Sequence, residues 1–171
     1  MDLPFPALWE DAVPWPDYLQ PGMEKFGLWK GVYDHAVIPG WALEQFMRGP
    51  ARRLLVISAD WCGDAANTVP VLARLADLIP ALELRILERE KYPAVMNRYL
   101  TNGTRSIPIA IALDGDFGEL GHWGPRPSVL QDWVMARKVM PTPQRYAYAC
   151  GWYARDKGES TLRELLAAIS G

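Results

Sequence analysis

The sequence predicts an α/β fold, and three observations predict it. An apolar strand-like run, Leu54 to Ser58, hands over within a few residues to an amphipathic helix, Ala66 to Ile79. A second run, Leu82 to Leu87, alternates Leu82, Leu84 and Ile86 with Glu83 and Arg85, the period of a strand. Ile109 to Leu113 and Phe117 to Trp123 flank Asp114-Gly115, which reads as a hairpin with a glycine-containing turn.

The remaining elements follow in chain order. Residues 1 to 35 carry five prolines (Pro4, Pro6, Pro14, Pro16, Pro21) and three tryptophans (Trp9, Trp15, Trp29). Proline fixes φ and lacks an amide donor, so this arm is not regular throughout, while its aromatics supply large areas to bury. It is expected to pack on the body of the protein. Trp41 to Arg48 reads as a short helix closed by Gly49-Pro50. Pro93 suits a first helical turn, so Ala94 to Leu100 is expected to be a helix stopped by Asn102-Gly103. Ser128 to Lys138 is expected to be helical with Trp133 and Val134 inward. Gln144 to Lys157 and Thr161 to Ser170 form a helical tail, the latter opened by a Thr-x-x-Glu capping box of Thr161 and Glu164.

Composition excludes several classes of function. At 171 residues, half of them hydrophobic, the chain suits one domain with a substantial core. Eighteen basic residues against twenty acidic ones leave no excess for nucleic acid or an anionic membrane. Met1-Asp2-Leu3-Pro4 opens without a basic segment followed by an apolar stretch, and no apolar run approaches the length of a spanning helix, so a soluble, cytoplasmic protein is expected. Two cysteines, Cys62 and Cys150, and two histidines, His35 and His122, are too few for a disulfide framework or a structural zinc site. Neither metal nor cofactor is expected.

Cys62 stands where the first strand meets the helix, in Trp61-Cys62-Gly63-Asp64-Ala65. The first N–H groups of a helix lack internal partners and its dipole favours negative charge, so a thiolate gains there. Asp60 and Asp64 oppose that gain by repulsion, and sequence leaves the sign of the balance open. With Pro70 eight residues beyond Cys62 and Ser106-Ile107-Pro108 before the next strand, the chain resembles the thioredoxin family. Tyr99 to Pro108, containing Leu-Thr-Asn-Gly, and Trp123-Gly124-Pro125-Arg126-Pro127 resemble a bacterial branch of thioredoxin-like proteins. The resemblance implies a thioredoxin fold, a central mixed β-sheet flanked by helices. Residues 36 to 140 form its core, 1 to 35 an N-terminal arm and 141 to 171 a C-terminal helical extension, together one thioredoxin-like domain.

The resemblance also frames the chemistry. The family's redox motif is Cys-x-x-Cys, and Ala65 stands in place of its second cysteine. Val56 stands where the family has a buried acid that assists that cysteine. Attack by Cys62 on a disulfide would then need an external thiol for release. One reading is a single-cysteine thiol-disulfide oxidoreductase acting on a disulfide-containing protein or a small thiol such as glutathione. The alternative is a redox-inactive thioredoxin-fold module binding a peptide or small anion at the edge of Cys62 and Pro108. In both, Trp61, Gly63, Ile107, Pro108, Trp123 and Arg126 form the binding surface. Asp60, Asp64 and Arg105 set the environment of the thiol.

Four further expectations concern particular residues. The resemblance implies a cis Ile107-Pro108 bond facing Cys62, with Ile107 backbone groups open to an extended peptide. Arg126 either stacks on Trp123 to hold its loop or, with Arg105, faces Cys62 and offers a guanidinium to an oxyanion. Cys150, among Tyr146, Tyr148, Trp152 and Tyr153, reads as a buried structural thiol, with a resolving role for Cys62 as the alternative. His122, beside Trp123, is the better functional candidate of the two histidines.

Overall fold

The computed structural model describes residues 2 to 170 and shows a five-stranded mixed sheet flanked by helices. Strand order is β1-β3-β2-β4-β5, with β1 Val13–Pro14, β2 Arg53–Ser58, β3 Glu83–Glu88, β4 Ile109–Leu113 and β5 Glu119–Trp123. β2 runs parallel to β3, with Val56 opposite Ile86, and antiparallel to β4, with Val56 opposite Ala110. A strand flanked on both edges in this way is buried throughout, which accounts for the unbroken apolar run from Leu54 to Ile57. β4 and β5 form the expected hairpin, but the second strand starts at Glu119 rather than Phe117. The Asp114 carboxylate accepts the amides of Asp116 and Gly118, so the turn extends past Asp114-Gly115.

The arm enters the sheet itself. After α1 (Phe5–Asp11), Val13 and Pro14 pair antiparallel with Ile86 and Arg85, placing β1 on the outer edge of β3 where a missing proline amide is tolerated. α2 (Trp15–Tyr18) and α3 (Phe26–His35) follow, and Trp15, Tyr18, Trp29 and Tyr33 form one ring cluster with centroid separations of 5.3 to 6.4 Å. Trp29 is wholly buried and its indole N–H donates to the Asp60 carbonyl at 2.9 Å. α4 (Gly40–Arg48) ends at Gly49 as expected.

The helix after β2 begins earlier than its apolar pattern suggests. α5 spans Gly63–Leu78, with Cys62 as its N-cap residue and Pro70 inside it. α5 packs on α3 and on the tail, α8 (Thr142–Asp156), while α9 (Glu159–Ser170) lies on β5 and against α4. The helix expected from Ala94 to Leu100 is confined to α6, Pro93–Met96, preceded by a 3-10 turn at Arg89–Lys91. Its continuation gives way to a tight turn in which Thr101 and Thr104 exchange backbone hydrogen bonds, with Asn102 and Gly103 at positive φ. α7 spans Ser128–Met135; Val134 is buried, while Trp133 is half-buried and stacks face to face on Tyr148 at 3.8 Å.

The expected capping box is absent. α9 begins at Glu159, two residues before Thr161, so Thr161 lies inside the helix, buried, and cannot serve as its cap. Glu164 instead accepts the Ser128 amide at 2.9 Å and the Trp123 indole N–H at 3.2 Å. It caps α7 from another helix and places a carboxylate where that helix dipole favours one. Among the described residues no helix is long and apolar enough to cross a membrane.

Candidate functional site

Three segments converge on Cys62: its own loop with the N-terminal turn of α5, the turn ending in Pro108, and the Trp123–Pro127 loop. Ile107-Pro108 and Gly124-Pro125 are both cis. Gly124, at φ +133°, lets the loops meet, because a Cβ there would lie 2.0 Å from the Pro108 carbonyl oxygen.

The Cys62 Sγ accepts the Ala65 N–H at 3.4 Å, as an N-cap side chain does, and its S–H donates to the Ile107 carbonyl at 3.6 Å. Only 7% of the residue is exposed. Burial is the largest influence on the thiol and pushes its pKa up, with the Asp64 charge adding to the effect. The Ala65 and Asp64 amides and the Arg126 guanidinium pull the other way without reversing it. In the competition left open by the sequence, desolvation outweighs the opposing contacts and favours the protonated thiol.

Above it runs an open groove of about 550 Å³ lined by Trp61, Cys62, Gly63, Ile107 and four cations, Lys25, Arg89, Arg105 and Arg126. Arg89 lies over the exposed Trp61 ring, 4.9 Å from its centroid, and donates to the Arg105 carbonyl. Arg105 is held by Asn97 Oδ1 at 2.9 Å. Tyr146 of α8 closes one wall: a Cβ on Gly63 would meet its ring at 2.4 Å, so only glycine lets α8 lie this close. Lys25 sits over the same ring, 4.8 Å from its centroid.

Asp64 and Arg126 pair across the site at 3.0 Å, and the Tyr153 hydroxyl donates to Asp64 Oδ1 at 2.7 Å. Burial, followed by the charge of Asp64 and the hydrogen bond to it, raises the Tyr153 pKa, so this phenol stays a donor. Arg126 also reaches Gln131 Oε1 at 2.7 Å. It therefore faces Asp64 rather than stacking on Trp123.

Other expected site residues sit elsewhere. Trp123 is buried, its indole bound to Glu164, and Pro108 is buried behind Ile107, so neither lines the groove. Asp60 turns to the arm, where its carboxylate accepts the Glu24 amide at 2.9 Å. Cys150 is half-buried rather than packed in the core, and both cysteines are free. Cys150 lines two other cavities and does not line the groove that holds Cys62. His122 pairs with Glu119 at 3.1 Å and meets the Tyr99 ring edge-on. The sequence reading missed Lys25, Arg89, Tyr146 and Tyr153. Only the aromatic density of the tail hinted at the last two.

Comparison with known proteins agrees with this fold. The family model described as Thioredoxin matches residues 15–141. The chain belongs to the thioredoxin family. Among solved structures it resembles a protein of unknown function, PA1234, from Pseudomonas aeruginosa, with 24% identity, 99% of each chain covered and a TM-score of 0.77. It also resembles an HIV epitope-scaffold at 22% identity, 98% of each chain and a TM-score of 0.74. Both likenesses concern the fold. No curated protein matches the chain.

Proposed function

We propose that this thioredoxin-like domain is a binding module whose groove at Cys62 holds an extended, acidic peptide segment, with Cys62 as part of the wall. The observation that carries this reading is the pairing of a buried thiol, turned onto the Ile107 carbonyl, with cations along one groove. A protonated thiol is a poor nucleophile. Ala65 and Val56 supply neither the second thiol nor the acid that the family uses to release a mixed disulfide. Of the four cations, Arg126 pairs with Asp64 and Arg89 with Glu90, while Lys25 and Arg105 have no acidic side chain within 4.0 Å among the described residues. Such unbalanced charge attracts carboxylates and speeds their encounter. Trp61 adds an exposed apolar surface, and the Ile107 turn offers an edge for a strand-like segment.

A labelled acidic peptide titrated against the protein tests the reading. Binding is expected to weaken steeply with salt, to fall several-fold in Arg105→Gln, and to persist in Cys62→Ser and in the presence of reductant. Binding that needs the Cys62 thiol and is reversed by reductant would contradict it.

That outcome would support the second reading, favoured by the Ala65 N–H on Sγ and the nearby Arg126. In it the Cys62 thiolate attacks one sulfur of a protein disulfide and expels the other as a thiolate. A small thiol such as glutathione then attacks, as its thiolate, the substrate sulfur of the mixed disulfide, expels the Cys62 thiolate and remains on the substrate as a new mixed disulfide.

A further inference from the structure

Behind Tyr146, between the first turn of α5 and α8, lies a second and more enclosed cavity of about 240 Å³, lined among others by Asp64, Asn67, Arg126, Thr142, Arg145 and Tyr153. Two guanidinium groups meet one carboxylate there. Both oxygens of that carboxylate are already engaged, one by the Tyr153 hydroxyl and the other by Arg126. Asn67 is engaged as well, donating its amide to the Gly63 carbonyl at 2.8 Å.

Arg145 is different. One Nη donates to Thr142 Oγ1 at 3.1 Å, but its Nε is buried and has no hydrogen-bond partner among the described residues. No acidic side chain among them pairs with it within 4.0 Å, whereas Arg126 has Asp64. The Nε itself is shielded from the cavity, but Arg145 lines it, and a guanidinium fork matches the geometry of an oxyanion. With Asp64 paired to Arg126, the charged lining of the cavity leaves the positive charge of Arg145 unbalanced.

We propose that this cavity is a binding site for a small oxyanion, a phosphate or a carboxylate, with Arg145 as its principal donor. It adjoins the Cys62 groove, with which it shares Gly63, Asp64, Arg126 and the Tyr146 wall, but it does not depend on how that groove is used. An anion on Arg145 fastens α8 to the motif loop.

Thermal unfolding at constant ionic strength, comparing inorganic phosphate and succinate with chloride, tests the site, with calorimetric titration of phosphate alongside. About 20 mM phosphate is expected to raise the wild-type Tm by about 4 °C over chloride. The larger rise with phosphate or with succinate tells which oxyanion the cavity prefers. Arg145→Gln is expected to lose the rise while remaining as stable as wild type in chloride, since it removes an unpartnered donor. Ala149→Leu, which fills the cavity with Arg145 intact, is expected to lose it too and decides the matter if Arg145→Gln does not fold. Arg105→Gln, in the groove alone, keeps it. No heat and no Tm rise with either anion would overturn the proposal. So would a rise that survives Arg145→Gln or Ala149→Leu, or one that vanishes in Arg105→Gln.

Discussion

The N-terminal arm and α8 attach to the same body in different ways, while α9 sends Leu162 and Leu165 into the main core. The arm sends Phe5, Leu8, Trp9, Trp15 and Trp29 into the main core and adds β1 to the sheet. α8 buries only Tyr153, which joins Leu130 and Val134 in a small separate cluster, and it also meets the body through Tyr148 stacked on Trp133, through Tyr146 and through the Tyr153 hydroxyl. Apolar burial in the arm carries stability, since each large side chain removed from water contributes about 1.5–3 kcal/mol. Polar contacts in α8 are worth less but fall on the motif residues Gly63 and Asp64. The arm holds the fold, and α8 shapes the site.

Trp29→Ala should break this contrast most visibly. It opens a cavity in the ring cluster and strands the Asp60 carbonyl, with an expected loss of about 3–5 kcal/mol in chemical denaturation. A loss below about 1 kcal/mol would mean that the arm is only laid on the surface. Tyr153→Phe removes a hydrogen bond to a charged, partly buried carboxylate and should cost about 1.5–3 kcal/mol, while also raising the accessibility of Cys62 to alkylation. An unchanged alkylation rate would show that α8 does not shape the groove. Glu164→Ala uncaps α7 and frees the Trp123 indole, at an expected cost of about 1 kcal/mol with the Cys62 environment unmoved.

The smallest effect concerns pH. The folded-state pKa of Cys62 is raised above its unfolded value, so the folded protein holds this proton more tightly. The stability it contributes is fully present below the unfolded value of about 8.5 and is lost as pH rises from there through the folded value. Wild type should therefore lose slightly more stability than Cys62→Ala between neutral pH and about pH 10. Parallel curves would mean that the thiol is not desolvated.

What was legible in the sequence was what is local. Cys62 at a strand-to-helix junction, the hairpin around Asp114-Gly115 and the Ile107-Pro108 turn each announce themselves within about ten residues. The long-range partners did not. Glu164 lies three residues after Thr161 and reads as its capping partner, yet its carboxylate binds Ser128, 36 residues earlier. Arg126 sits beside Trp123 in sequence and pairs with Asp64, 62 residues away. Tyr153, 89 residues beyond Asp64, looks like one more aromatic in a tail rich in them. The balance at Cys62 was hidden for the same reason: its charges are near in sequence, but its desolvation is made by segments that meet only in the fold.

The account turns on the protonation state of Cys62. The direct measurement is the rate of its alkylation against pH in a Cys150→Ala background, where a single thiol reports. Slow modification with a midpoint above the free-cysteine value of about 8.5 is the predicted result. Fast modification with a midpoint well below that value would contradict the binding-module reading and make Cys62 a nucleophile.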